Sequence, residues 1–244
     1  MKPRNKHELS LMRQSGKITA AALKKAIEKI KIDVTAIDIE KEIAAEIKRL
    51  GGELSFPTVQ GYKWASCITF NEQVVHGIPI ERKIKEGDVV SIDLGAIFKG
   101  WHTDAAWTVE VNNKKNNFLE IGKKALWDGI SQAIEGNRIG DISSAIQQKV
   151  EGAGYSVVRS LVGHGVGKAL HENPEIPGVG KAGKGMELKK GMTLAIEVIY
   201  TKGRPDVALE ADNWTISTVD GSVSGLFEMT VVVGKQKAEV LTML

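Results

Sequence analysis

The chain has 244 residues, 42% of them hydrophobic, enough to bury one sizeable core and short enough to form a single domain spanning residues 1–244. Its 33 basic and 30 acidic residues leave a net charge of +3, too weak a field to make nucleic acid or an anionic membrane the main partner. Cys67 is the only cysteine, so no disulfide can close within the chain. With no secretory apolar region and no apolar run of about 18 residues, the expected location is a reducing cytoplasm.

The basic opening Met1-Lys2-Pro3-Arg4-Asn5-Lys6 reads as a solvated terminus. From Glu8 to about Ile30 the residues Leu11, Ile18, Ala22, Leu23, Ala26 and Ile27 recur at helical spacing, which predicts an amphipathic helix. A second helix follows Thr35, with Ile39, Ile43, Ile47 and Leu50 on its buried stripe and Gly51-Gly52 ending it. Next come Asn71-Glu72-Gln73-Val74-Val75-His76-Gly77-Ile78-Pro79, where Gly77 and Pro79 mark a turn after a short apolar run. Asp93 lies in a β-type run, Val89 to Ile97, with Val90, Ile92 and Leu94 on one face and the acid on the other. Asp104 follows within Gly100-Trp101-His102-Thr103-Asp104, at a distance that lets a hairpin bring the two acids together. Gly163-His164-Gly165-Val166-Gly167 carries glycines that admit close backbone approach to a ligand or metal, and His171 follows in Leu170-His171-Glu172-Asn173-Pro174. Glu197 repeats the acid-in-strand pattern within Leu194 to Tyr200. Glu228 does so once more, opposite a face made of Phe227, Met229, Val231 and Val233.

Parts of the chain repeat. Asp38, Ile39, Ile43, Ile47 and Gly51 match Asp141, Ile142, Ile146, Val150 and Gly154, and the segment Ile84–Asp93 matches Leu188–Glu197 at nearly the same offset. That period is too long for a solenoid, so it predicts two related helix-and-strand halves within one domain, with Asp93 and Glu197 at equivalent depths. A single strand acid is ordinarily a solvated edge residue, and a single histidine is ordinarily a hydrogen-bonded one. Several carboxylates in core-like strands are different, because burying them is costly unless they are protonated or paired, and cations compensate several at once. One histidine with four carboxylates is an oxygen-rich set, suited to manganese, iron or cobalt more than to a cysteine-rich structural zinc site.

Taken in order, these motifs resemble the type I methionine aminopeptidases over nearly the whole chain. The resemblance implies an α+β pseudo-symmetric pita-bread fold, shared with creatinase and Xaa-Pro peptidases, in which helices cover a curved antiparallel sheet. It implies two divalent ions (Co, Mn, Fe, Ni or Zn) held by Asp93, Asp104, His164, Glu197 and Glu228, with Asp104 and Glu228 bridging both. Glu197 would act as general base and then acid, His171 would contact the substrate carbonyl oxygen, and His76 would contact the scissile amide. Tyr62, Cys67, Trp214, Phe56 and Leu170 would surround a methionine side chain. The implied substrates are N-terminal methionyl peptides and nascent chains with a small second residue. A monomer is expected, with a transient ribosome contact and without a nucleic-acid substrate or a membrane.

Three positions depart from the family's usual pattern: Val198 for proline, Met229 for histidine, and Leu170 for an aromatic residue. Two other readings remain at this stage. An Xaa-Pro aminopeptidase or dipeptidase uses nearly the same ligands but ordinarily carries an extra N-terminal domain. A non-catalytic binding module would have lost some of the ligands. Because Lys2 is bulky, the methionine reading predicts that the protein keeps its own Met1. Intact-mass spectrometry after expression should show Met1 present, and quantitative loss of it would contradict the selectivity.

Overall fold

In a computed structural model describing residues 1–113 and 115–244, the chain begins with α1 (Lys6–Lys29) and α2 (Ala36–Arg49). Both start on capping boxes: the Asn5 side chain accepts from the Glu8 amide, and the Thr35 hydroxyl accepts from that of Asp38, each acid reaching back in return. The strands β1 (Glu53–Leu54), β2 (Ser66–Phe70) and β3 (Gln73–Val75) lead to a long hairpin of β4 (Val89–Phe98) and β5 (Trp101–Glu110). Its two-residue loop, Lys99-Gly100, has φ of 49° and 75°, the left-handed pair that matches the twist of a tight hairpin. The second half follows with α3 (Asn117–Ser131), α4 (Ile139–Glu151), β6 (Ser156–Val157), β7 (Val162–Gly165), β8 (Glu172–Pro177) and β9 (Thr193–Thr201). The chain closes with β10 (Val207–Leu209), β11 (Ile216–Thr218), β12 (Ser224–Val232) and β13 (Glu239–Val240).

The central sheet runs β1-β4-β5-β12-β9-β7-β8, with antiparallel neighbours, and a three-stranded sheet β10-β11-β3 stands apart from it. The pattern β4-β5 against β12-β9 is the repeat made visible. Ile39, Ile43 and Ile47 of α2 share a core with Val90, Ile92 and Leu94 of β4, and Ile142, Ile146 and Val150 of α4 share one with Leu194, Ile196 and Val198 of β9. Each such fully buried side chain contributes about 1.5–3 kcal/mol of hydrophobic stabilisation. Val198 and Met229 belong to this helix-facing core, so the two unusual residues beside Glu197 and Glu228 point away from those acids.

One segment differs from the sequence-based expectation. The opening residues are not a solvated terminus throughout, because Met1 packs against the second core and the Arg4 side chain is only 12% exposed. The hairpin brings the two acids together as expected, with Asp104 opposite Gly95 and Asp93 opposite Ala106. The two acids are therefore diagonal neighbours.

Candidate metal centre

The register aligns the acids. Cys67, Asp93, Ala106, Glu228 and Glu197 are successive partners across β2, β4, β5, β12 and β9. The next row on the same face holds Gly95 and Asp104, then Thr230, Ala195 and His164. Since side chains alternate along a strand, both rows face away from the helices. Ala106 is the small residue that leaves room between Asp93 and Glu228. Of the four acids, only Asp93 and Glu197 are related by the symmetry: Ala106 occupies in β5 the place that Glu228 occupies in β12, and Asp104 the place of Leu226.

The seam between β5 and β12 is closed by hydroxyls. The Thr230 hydroxyl accepts the Asp104 amide at 2.9 Å and donates to the Asp104 carbonyl at 2.8 Å. Thr108 does the same for Leu226, at 2.9 and 2.7 Å, on the other side of Ala106 and Glu228. The backbone of Thr230 is engaged elsewhere, by Leu241 and the Thr242 hydroxyl, which is why its side chain stands in for the ladder.

Asp104, His164 and Glu228 offer ligand atoms that all lie within 4.8 Å of one another. His164 Nε2 is 3.9 Å from both Asp104 Oδ2 and Glu228 Oε1, too far for hydrogen bonds and suited to a shared partner. Its Nδ1 donates to the Gly165 carbonyl at 2.9 Å, which leaves the Nε2 lone pair free and aimed at the acids. Asp93 Oδ1 and Glu228 Oε1 are buried with no hydrogen-bond partner, and among the described residues no lysine or arginine pairs with any of the four acids. Burial raises all four carboxylates. Asp93 and Glu228 stand well above the usual range, each pushed further by the Asp104 charge; Asp104 is raised to about 8 with Glu197 adding to the effect, and Glu197 to about 8 with Asp93 adding. Burial and neighbouring His171 push His164 down to about 4, so its ring is neutral and able to ligate. Orphaned acceptors, mutually repelling acids and one neutral imidazole form a donor set that fits hard divalent cations.

These residues floor a cleft of about 540 Å³. Its wall brings together the sequence-predicted Phe56, Tyr62, Cys67, Leu170 and Trp214. Tyr62 stands edge-on to Trp214 at 5.0 Å and to Phe56 at 6.3 Å, its hydroxyl donates to the Ser66 carbonyl, and the Cys67 thiol donates to that hydroxyl. Asp212 fixes Trp214 by accepting its amide at 2.9 Å. His76 and His171 complete the lining, and both keep pKa values below the usual histidine range because the cleft walls desolvate them. His76 sits at φ 58°, a left-handed conformation unusual for histidine, and Gly77 beside it lies too close to the Ile68 carbonyl to carry a Cβ. The turn aims His76 into the cleft.

Some contributors lie outside the sequence motifs. Glu40 of α2 accepts the Ala65 amide at 2.6 Å and the Ser66 hydroxyl at 2.5 Å, anchoring the pocket wall from behind. A carboxylate on the same stripe as Ala36 and Ile43 was the sequence signal for it. The glycines around His164 also make room for other parts of the chain. A Cβ on Gly163 would meet the Ala195 carbonyl at 2.6 Å, one on Gly165 would strike Met1, and one on Gly167 would strike Arg4.

The profile of metallopeptidase family M24 matches residues 10–235. The chain is 41% identical to methionine aminopeptidase 1 of Bacillus subtilis over 238 residues, 96% of each chain, and 39% identical to methionine aminopeptidase of Clostridium perfringens over 244 residues, covering 99% of this chain and 98% of that one. The structure of methionine aminopeptidase from Thermotoga maritima superposes with a TM-score of 0.97 at 40% identity, with complete coverage of both chains. Prolidase from Pyrococcus furiosus shares the fold, at TM-score 0.80 and 22% identity over 99% of this chain and 65% of its own.

Two outcomes test the centre. In metal-free protein, carboxylates titrating near 8 when folded and near 4 when unfolded make stability fall as pH rises through about 8. His164 acts oppositely, but only between about 4 and 6.5. Melting temperature should therefore drop from pH 6.5 to 8.5, and added manganese should raise it more at the higher pH; a flat or rising metal-free profile would contradict the carboxylate assignment. Thr230→Val and Thr108→Val each leave a backbone N–H and C=O without their hydroxyl partner, losing about 1–3 kcal/mol. Calorimetric titration should show weakened manganese binding for Thr230→Val only, and equal weakening in both would deny Thr230 a specific hold on Asp104.

Proposed function

Because the chain belongs to metallopeptidase family M24 and aligns end to end with methionine aminopeptidases, we propose that it removes N-terminal methionine from proteins with a small second residue, through a two-metal centre. The observation that carries the reading is the convergence, beside an aromatic pocket, of a neutral histidine and four carboxylates that pair with no lysine or arginine among the described residues, Asp104 and Glu228 being buried. Membership of the family implies divalent metal. Asp93, Asp104, His164, Glu197 and Glu228 would hold the ions, which when bound acidify a water and polarise the scissile carbonyl.

The chain's own groups supply the remaining steps. Glu197, whose surroundings raise its proton affinity, takes a proton from the attacking water and returns it to the leaving amine. His171, neutral and open to the cleft, donates a hydrogen bond to the carbonyl oxygen as negative charge develops there. His76, in the same cleft, contacts the scissile amide. Phe56, Tyr62, Cys67, Leu170 and Trp214 enclose an unbranched thioether, and the Tyr62 and Cys67 hydrogen atoms are already engaged, so the pocket presents an apolar surface to it. Leu170 takes the place of a planar ring and leaves the pocket wall aliphatic at that point. Among the described residues no helix is long and apolar enough to cross a membrane.

Metal-stripped enzyme resupplied with manganese, iron, cobalt or zinc should release methionine from Met-Ala-Ser and leave Ala-Pro-Ala intact; the reverse preference would move the activity to the proline-specific branch. In the His171→Ala variant, kcat should fall by about a hundredfold or more while bound metal per chain is unchanged. Loss of metal in that variant would make His171 a ligand.

A further inference from the structure

The segment before α1 lies against the loop that joins His164 to His171. The Arg4 amide donates to the Gly191 carbonyl at 2.8 Å, its Nε donates to the Thr193 hydroxyl at 3.3 Å, and its Nη2 donates to the Val166 carbonyl at 3.4 Å. The same guanidinium pairs with the Glu172 carboxylate and lies over the Trp101 ring, 5.2 Å from its centroid. Glu172 in turn closes the loop on itself: its Oε1 accepts the Lys168 amide at 2.6 Å and the Ala169 amide at 3.2 Å, leaving Oε2 for Arg4. The side chains are 12% and 21% exposed, so the pair is shielded from water more than a surface ion pair is. Gly167 accommodates the guanidinium by lacking a Cβ, and the His102 amide donates to its carbonyl at 2.7 Å. His171 is joined to Glu172 by one peptide bond, with its ring centroid 4.5 Å from that of His164.

We infer that Arg4 is a positioning residue for the reaction: by holding Glu172 it fixes the turn from which His171 reaches the substrate carbonyl. This rests on the role of His171 proposed above. His164 has its own support, because β7 pairs it with Ala195 of β9, so loosening the turn displaces His171 and spares the metal ligand. A displacement of about 1 Å at a reacting centre is enough to lower a rate by about a hundredfold. Loss of an ion pair that merely stabilised the fold would lower the melting temperature and leave turnover alone.

The test compares Arg4→Met with Arg4→Lys and Glu172→Gln in metal-loaded, full-length protein. For Arg4→Met the expected result is a fall in kcat on Met-Ala-Ser of at least about tenfold, with KM and metal content within about twofold of wild type. Arg4→Lys should recover much of the loss, and the Arg4→Met/Glu172→Gln double variant should be no slower than the slower single one. Hydrogen exchange of the Lys168 and Ala169 amides should quicken in Arg4→Met. Unchanged kcat beside a lowered melting temperature, or unchanged exchange at those amides, would overturn the inference. Failure of the wild-type protein to cleave Met-Ala-Ser would defeat the proposed activity instead, and the exchange measurement would still decide whether Arg4 holds the turn.

Discussion

Four carboxylates crowded on one face of a sheet, Asp104 and Glu228 buried and Asp93 and Glu197 partly so, cannot all be ionised without a nearby positive charge. Two unit charges about 4 Å apart repel by about 4 kcal/mol at the effective dielectric of a protein site, and Asp93, Asp104, Glu197 and Glu228 act on one another in several such combinations. His164, kept neutral by its surroundings, contributes a lone pair and no compensating charge. Everything else in the fold either imposes this arrangement or makes it tolerable. The helices pack on the opposite face, so the strands that carry the acids are held by apolar contacts that owe nothing to the charges.

The internal duplication explains half of the centre. It delivers Asp93 and Glu197 at matching points on β4 and β9, and it leaves the β5–β12 seam as the axis between the halves. The other half arises where the symmetry is broken: Asp104 and Glu228 have Leu226 and Ala106 as counterparts, and His164 of β7 has Thr69 of β2, the equivalent strand beside β4. The paired threonines at the seam are still symmetric, which separates a structural feature of the duplication from the acids that differ across it.

Much of this was legible in the sequence because it rests on strand alternation and local capping. The helix start at Thr35, the acid-bearing faces of β4, β9 and β12, and the repeat all follow from periodicity and short-range chemistry. The pocket residues came from family resemblance, and the structure brings all five together without testing their individual roles. What periodicity could not give was register. That Asp104 faces Gly95 while Asp93 faces Ala106 depends on a two-residue hairpin loop, and a one-residue change there would send the acids to opposite faces. Equally hidden were contacts between distant segments, such as Glu40 with Ala65 and Ser66, Thr230 with Asp104, and Arg4 with Glu172. The glycines flanking His164 were visible, but the room they make for Met1 and Arg4 was not, since both arrive there from the far end of the chain.

The central claim is that divalent cations supply the charge that this cluster of acids lacks. Anomalous diffraction from crystals of the manganese-loaded protein tests it most directly. The account predicts two anomalous peaks enclosed by Asp93, Asp104, His164, Glu197 and Glu228. Manganese found only at exposed carboxylates, with no peak among these five residues, would contradict it.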